Sequence, residues 1–196
     1  MSLSAACSSS NGSGSSETPA DFCSQLQGYV TKCNVTDPCT VQTSSNCTQL
    51  ASALSSQTLA AYAQCYTDSS CGDAGAALAA SCFATATKNL TPSAAQEKLA
   101  TDYCAVCTVA PETAAECAAG FYSTGGDGGT PGVGSSILDL SDSLATQLDT
   151  QCVAKIAAGS SALVCLSSLG ICAEPIIAAA VTLPAACTTA VVVDGG

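Results

Sequence analysis

Cysteine is the residue type in this chain that is best suited to chemistry. Fifteen of the 196 residues are cysteines, and fourteen of them lie between Cys23 and Cys187. A thiolate can act as a nucleophile, a redox group or a metal ligand, but paired cysteines are often structural crosslinks. Because fourteen is an even number, every cysteine in this segment can find a partner. We predict disulfide bonds, with the pairing left open, for Cys23, Cys33, Cys39, Cys47, Cys65, Cys71, Cys82, Cys104, Cys107, Cys117, Cys152, Cys165, Cys172 and Cys187.

Cys104-Ala105-Val106-Cys107 is a CxxC motif, which in thioredoxin-like proteins forms a redox-active dithiol. Those proteins place the reactive thiol at the start of a helix, where the helix dipole favours the thiolate. Here the motif falls at the C-terminal end of a predicted helix, where partial negative charge disfavours a thiolate. We therefore predict structural disulfides for Cys104 and Cys107, and a thiol-disulfide oxidoreductase is only a weaker alternative function.

The remaining residue types argue against several kinds of active site. The sequence contains no histidine, so a Ser-His-Asp triad and a Cys-His pair are excluded, and a structural zinc site is a weaker interpretation of the cysteines than disulfides. Asp139, Asp142 and Asp149 share a predicted helix, and paired carboxylates can do acid/base work or bind a cation. We interpret them instead as helix-start charge and a solvated face. The sequence predicts no enzyme, no metal site and no cofactor.

Composition limits the partners and the compartment. The net charge of −11 opposes binding to nucleic acid and to anionic lipid, both of which need Lys and Arg. Hydrophobic residues make up 47% of the chain, but many are Ala or Cys and only eight are aromatic. The core is therefore thin for its length, and disulfides are the expected remedy. So many cysteines predict export to an oxidising compartment.

Apolar residues at helical spacing must position these cysteines, and they predict an all-α fold, a disulfide-stapled bundle of short amphipathic helices. Thr18 and Pro19 are expected to start the first helix. We predict a loop from Cys39 to Cys47, a helix over 48–66, and a capped start at Ser93 with Gln96.

In the last third of the chain, Ser136 with Asp139 is expected to start a long helix whose apolar stripe runs from Ile137 to Ile156. Two apolar segments, 163–169 and 175–183, follow it. The uncharged runs 156–173 and 176–193 approach the length of a membrane span. Their Ser, Gly, Cys and Pro content favours buried helices, so we predict no transmembrane helix.

We divide the chain into a flexible Ser/Gly-rich tether, 1–19, and a single disulfide-rich helical domain, 20–193. Within that domain the halves 20–119 and 135–193 are joined by a Gly-rich loop, 120–134. Another interpretation also stays open: two related halves with seven cysteines each, 23 to 82 and 104 to 187.

The segment Leu3-Ser4-Ala5-Ala6-Cys7-Ser8-Ser9-Ser10 resembles the end of a bacterial lipoprotein signal, with small residues before a cysteine that becomes lipidated. Leu3 lies one residue further from Cys7 than in the usual pattern. With the Cys- and Ala-rich helices that follow, the chain is similar to small Cys-rich lipoproteins of myxobacterial type. The resemblance implies lipidation at Cys7 and a periplasmic or outer-membrane-anchored location at the bacterial cell surface.

The function expected from these observations is that of a non-enzymatic, secreted or surface-anchored envelope protein. It would act as a structural scaffold or bind a protein partner that the sequence does not identify, and it would reach a membrane only through a lipidated N-terminus. The alternative is a carrier of a small apolar ligand or lipid, because thinly packed disulfide-linked helices can enclose a cavity. An apolar cavity between the helices would favour the carrier.

Overall fold

The computed structural model describes residues 17–73, 76–88, 90–108, 112–123 and 132–181, and it confirms the all-α fold class. Cys7, Cys187 and most of the N-terminal tether lie outside the described residues. The described residues form nine α-helices: α1 (Pro19–Lys32), α2 (Pro38–Ser45), α3 (Cys47–Ala53), α4 (Ser56–Asp68), α5 (Ala76–Ala86), α6 (Ala94–Cys107), α7 (Ala114–Gly120), α8 (Asp142–Gln151) and α9 (Ala162–Ala180).

Side-chain caps decide where several helices begin. The Thr18 hydroxyl accepts the Asp21 N–H at 3.2 Å and Pro19 takes the first helical position of α1, as predicted. At α6, the Ser93 hydroxyl accepts the Gln96 N–H while the Gln96 side chain accepts the Ser93 N–H. This reciprocal capping box confirms the predicted start at Ser93.

The predicted loop from Cys39 to Cys47 is wrong, because α2 occupies most of it. Asp37 accepts the Thr40 N–H at 2.8 Å, so Asp37 is a helix cap and Pro38 is the first residue of the helix that follows. The predicted helix over 48–66 is also wrong in extent. It breaks into α3 and α4 at Leu54, where Ser55 caps a new start.

The predicted helix start at Ser136 is wrong as well. Residues 135–137 form a single 3₁₀ turn, and α8 begins at Asp142 with Ser141 as its cap. The residues between pair with another segment: Leu140 forms an antiparallel bridge with Leu54, and the Ser55 N–H donates to the Asp139 carbonyl at 2.7 Å. This long-range pairing fixes the backbone at Asp139 and Leu140, and α8 begins only after it.

The two apolar segments predicted near the C-terminus are one helix, α9, which continues through Pro175. By length and composition α9 is the one helix among the described residues that is apolar enough to cross a membrane. It is not the buried helix that we expected, since only Cys165, Leu169 and Ala173 are buried. Leu163 and Ile171 are 76% and 74% exposed.

Among the described residues, six disulfide bonds link the helices, all between cysteines that the sequence predicts to be paired. They join Cys23 to Cys47, Cys33 to Cys71, Cys65 to Cys82, Cys104 to Cys117, Cys107 to Cys165, and Cys152 to Cys172. Six disulfides are typical of an exported protein in an oxidising compartment. Each of the six lies within α1–α5 or within α6–α9, and we refer to these groups as the N-terminal and C-terminal halves.

Each half has its own buried apolar cluster. Phe22, Leu59 and Tyr66 are central to the N-terminal cluster, and Leu99 and Leu148 to the C-terminal one. Apart from Ala53 of α3, the buried residues of the C-terminal cluster come from α6 onward, so the two clusters divide between α5 and α6.

The cysteine pairing does not repeat between the halves. Cys33 bonds forward to Cys71, whereas Cys117, which the duplication would match to Cys33, bonds back to Cys104. The disulfide pattern therefore gives no support to the interpretation as two related halves.

The described ends of the Gly-rich loop are closely packed against α7 and the turn after it. The Gly134 N–H donates to the Phe121 carbonyl at 2.8 Å, and the Gly132 N–H donates to the Ser123 carbonyl at 2.7 Å. A Cβ atom on Gly134 would lie 2.2 Å from the Phe121 ring. Glycine is required here for close approach, and residues 132–134 belong to the C-terminal half.

Candidate functional site

An apolar cleft of about 500 Å³ lies where the two halves meet. Its volume is within the usual range of small-molecule pockets, which often form at such junctions. The N-terminal half supplies most of its wall, and the C-terminal half closes one side. The described lining residues are Leu26, Thr40, Thr43, Leu50, Leu54, Tyr62, Tyr66, Ala79, Ala80, Phe83, Asp139, Leu140, Ile177 and Val181.

Aromatic rings form the wall on the side of α1, α4 and α5. Tyr62 stacks on Phe22 with ring centroids 5.2 Å apart, and it contacts Tyr66 at 5.2 Å and Phe83 at 6.0 Å. The disulfide between Cys65 and Cys82 fixes α4 against α5 beside these rings. Rigid aromatic walls of this kind favour an apolar ligand, because they offer contact area without needing to reorganise.

A buried glutamine outside the cleft holds the backbone segment that carries Asp139. The Gln96 side-chain nitrogen donates to the carbonyls of Ile137, Leu138 and Leu140 at 3.3, 3.1 and 2.9 Å. Gln96 is 1% exposed, so these bonds are protected from competition with water. They fix the backbone of segment 137–140, and with it the position of Asp139.

Asp139 is the charged residue that lines the cleft. Its Oδ1 is the one buried side-chain nitrogen or oxygen in the described part of the chain that has no hydrogen-bond partner. Burial raises the pKa of the Asp139 carboxyl above its usual value, and a bond from its own backbone N–H opposes that rise. The cleft therefore combines an apolar wall with one unsatisfied acceptor.

Other polar groups of the cleft already have partners within the protein. The Thr40 hydroxyl donates to Asp37 Oδ2 at 2.7 Å, and the hydroxyls of Tyr62 and Tyr66 bond to each other. Burial raises the pKa of both tyrosines, so both stay neutral over the physiological range. Asp139 is thus the group that remains to meet a ligand.

The nearest described cation on the C-terminal half is engaged elsewhere. Lys98 pairs with Asp102 and, at 2.6 Å, with the buried Asp149, and these two bonds raise the pKa of the lysine. Lys98 therefore balances Asp149 and is not among the cleft residues. The interpretation of Asp149 as solvated-face charge is wrong, whereas Asp142 is exposed in the first turn of α8 as expected.

The CxxC motif is separated by its bonding. Cys104 bonds to Cys117 on α7, and Cys107 bonds to Cys165 on α9, so the two sulfurs are not a dithiol pair. Both cysteines are also buried. This arrangement gives no support to a thiol-disulfide oxidoreductase. Across the described ranges, no group of three or more His, Cys, Asp or Glu side chains could hold a metal ion.

Sequence reasoning missed Asp139 as a residue of the cleft and Gln96 as the side chain that holds its segment in place. Asp139 was assigned to the charge at a helix start, because Ser136 three residues before it suggested a cap. Gln96 was correctly assigned to a capping box, but nothing in the local sequence shows that its amide also bonds residues some forty positions away. Only the pairing of Leu54 with Leu140 brings these groups to the cleft.

A comparison of the chain with protein-family models, with curated proteins and with solved structures finds no match.

Proposed function

We propose that this protein is a non-enzymatic, exported binding protein that holds a small apolar molecule in the cleft between its two halves. The observation that carries the proposal is the cleft itself, a volume of about 500 Å³ lined by Leu, Ile, Val, Ala and aromatic side chains. In a protein with so few large apolar residues, an unfilled apolar volume costs packing free energy. A bound ligand would recover it.

The test is the binding of a neutral fluorescent dye, Nile red, to the protein with its disulfides intact. The variant Ala80→Trp places an indole in the cleft, because Ala80 lines it and is itself exposed. The matched control is Ala61→Trp, an exposed alanine on α4 that does not line the cleft. We expect saturable binding in the parent and in the control, and at least about tenfold weaker binding when the cleft is filled.

Equal dye binding by the two tryptophan variants would place the dye outside the cleft and contradict the proposal. No dye binding by the parent protein would contradict it as well.

A scaffold that binds a protein partner is the second candidate, and the exposed apolar side of α9 favours it. Leu163 and Ile171 are largely exposed on a helix that is crosslinked at Cys165 and Cys172. Contiguous exposed apolar residues often mark a contact surface. If the dye binds in the cleft, the carrier function is preferred. If the dye does not bind there, the scaffold that binds a protein partner is preferred.

We further propose that the protein is anchored at the cell surface through a lipid on Cys7, as its resemblance to bacterial lipoproteins implies. The sequence Leu3-Ser4-Ala5-Ala6-Cys7 supports this proposal. Intact mass of the protein made from its full gene in its natural host should show a diacylated cysteine at this position. An unmodified Cys7 would contradict the anchor without affecting the cleft.

A further inference from the structure

The unpartnered oxygen of Asp139 indicates what kind of ligand the cleft takes. A buried acceptor without a hydrogen bond is unfavourable, so native proteins rarely retain one. Asp139 Oδ1 has less than 1 Å² of exposed surface, and it lies in a residue that lines the cleft. Rotation about the terminal torsion of the side chain exchanges the two carboxylate oxygens with little resistance. Either oxygen can therefore turn toward a ligand.

Among the described residues, no lysine forms an ion pair with this carboxylate. Asp139 is the one acidic residue among the described lining residues, and none of those residues is a lysine. Lys98, on the same half, is bonded to Asp102 and Asp149. A charge so placed is stabilised most by an opposite charge that arrives with the ligand, since charge-assisted hydrogen bonds are the strongest kind.

The net charge of the whole protein also favours a positively charged ligand. The net charge of −11 attracts cations and repels anionic amphiphiles such as fatty acids. The aromatic and aliphatic residues that line the cleft with Asp139 fit an apolar chain or ring, while the Thr40 hydroxyl is already bonded within the protein. The chemistry that satisfies all of these features is an apolar body that ends in a hydrogen-bond donor with positive charge.

We propose that the cleft selects cationic amphiphiles, with the apolar body against the tyrosines and a protonated amino group donating to the Asp139 carboxylate. This specificity depends on the proposed function as an apolar-ligand carrier. The Asp139 carboxylate of the C-terminal half then accepts a hydrogen bond from the headgroup. The tyrosines of the N-terminal half contact the apolar body of the same ligand.

The experiment compares three probes that share a ten-carbon chain and differ in headgroup: decylammonium, decanol and decanoate. Each displaces Nile red from the protein at pH 7, below the concentration at which it forms micelles. Decylammonium should displace the dye at a concentration about tenfold lower than decanol, the effect of one charge-assisted bond, and decanoate should be the weakest. The test variant is Asp139→Asn and the control is Asp142→Asn. The control removes the same charge from an exposed position that is outside the cleft.

With Asp139→Asn the preference for decylammonium over decanol should fall to within about twofold, while Asp142→Asn should keep it near tenfold. The same preference in both variants, or a preference for decanoate, would overturn the proposal. If all three probes displace the dye equally, the carrier function stands and this specificity fails. If the dye does not bind at all, the carrier function itself fails.

A second measurement uses the parent protein alone, in case Asp139→Asn does not fold. The carboxyl resonance of Asp139 is followed by NMR as the pH is changed, with and without decylammonium. A bound ammonium group should lower the pKa of this carboxyl, because it stabilises the ionised form. A midpoint that decylammonium leaves unchanged would contradict the proposed contact.

Discussion

The N-terminal and C-terminal halves of the bundle bury their apolar residues in different ways. The N-terminal half, α1–α5, packs aromatic rings around Tyr62 and leaves one side open as the cleft. The C-terminal half, α6–α9, packs mainly Leu, Ala and Cys with a separate ring cluster of Tyr103, Phe121 and Tyr122, and it secures its polar groups internally through Gln96 and Lys98. The two halves therefore contribute differently to the cleft. The N-terminal half supplies most of its apolar wall, and the C-terminal half supplies Asp139.

Among the changes that test this difference between the halves, replacement of Gln96 should have the largest effect. Gln96→Leu removes the donor that bonds the carbonyls of Ile137, Leu138 and Leu140, and it leaves buried acceptors without partners. We expect a loss of about 2–4 kcal/mol in the free energy of unfolding. Denaturant unfolding with intact disulfides measures it. Gln147→Leu, an exposed glutamine on α8, is the control and should change stability by less than about 0.5 kcal/mol.

If the two glutamine variants were equally stable, the buried amide would not be holding segment 137–140. The dye assay adds a second readout to the same pair. The displaced Asp139 segment should weaken binding in Gln96→Leu and leave Gln147→Leu unaffected.

Close packing at Gly134 offers the next largest effect. A Cβ at this position would lie 2.2 Å from the Phe121 ring, whereas a Cβ on Gly120 would meet nothing within 4 Å. Gly134→Ala should therefore cost about 1–3 kcal/mol of stability, because the ring or the chain must shift. Gly120→Ala should leave stability unchanged or raise it by up to about 1 kcal/mol, since alanine favours the helix. Thermal unfolding of the two glycine variants measures this difference in stability. Equal unfolding midpoints would show that residues 132–134 are not packed on Phe121.

The smallest expected effect is a change in the pH dependence of stability at Asp139. Because burial raises the pKa of this carboxyl in the folded protein, its protonated form favours folding. That contribution is fully present below the unfolded pKa and is lost as the pH rises through the folded pKa. Asp139→Asn, which cannot ionise, should therefore gain stability over the parent at pH 7 and lose that advantage toward pH 3.

Unfolding curves of both proteins across this range test the sign. Tyr62 and Tyr66, the other titratable groups of the cleft, have raised pKa values and do not ionise there. An advantage for Asp139→Asn that grows toward low pH would contradict the assigned environment of the carboxyl.

The local parts of the fold could be predicted from the sequence, because caps act over three or four residues. Thr18 and Ser93 begin their helices as expected. The same reasoning failed from Cys39 to Cys47, where we predict a loop, because Asp37 caps a helix that begins at Pro38. It failed at Pro175 because packing on both sides of the proline carries α9 through it.

The cleft could not be predicted, since it depends on contacts between residues far apart in sequence. Leu54 looks like one more apolar position in a long helix, and Leu140 like part of a stripe. Their bridge breaks both helices and turns Asp139 into the cleft. The number of cysteines predicts disulfide bonds but not which cysteines pair. Cys104 and Cys107 look like a CxxC pair in the sequence, whereas in the structure they bond to Cys117 and Cys165.

The central claim is that one ligand contacts both halves at the cleft, and intermolecular NOEs test it most directly. With methyl groups labelled in the protein, bound decylammonium should show NOEs to Leu54 and Leu26 from the N-terminal half and to Leu140 and Ile177 from the C-terminal half, which line the cleft together. NOEs confined to the exposed side of α9, at Leu163 and Ile171, would contradict the claim and make the helix surface the binding site.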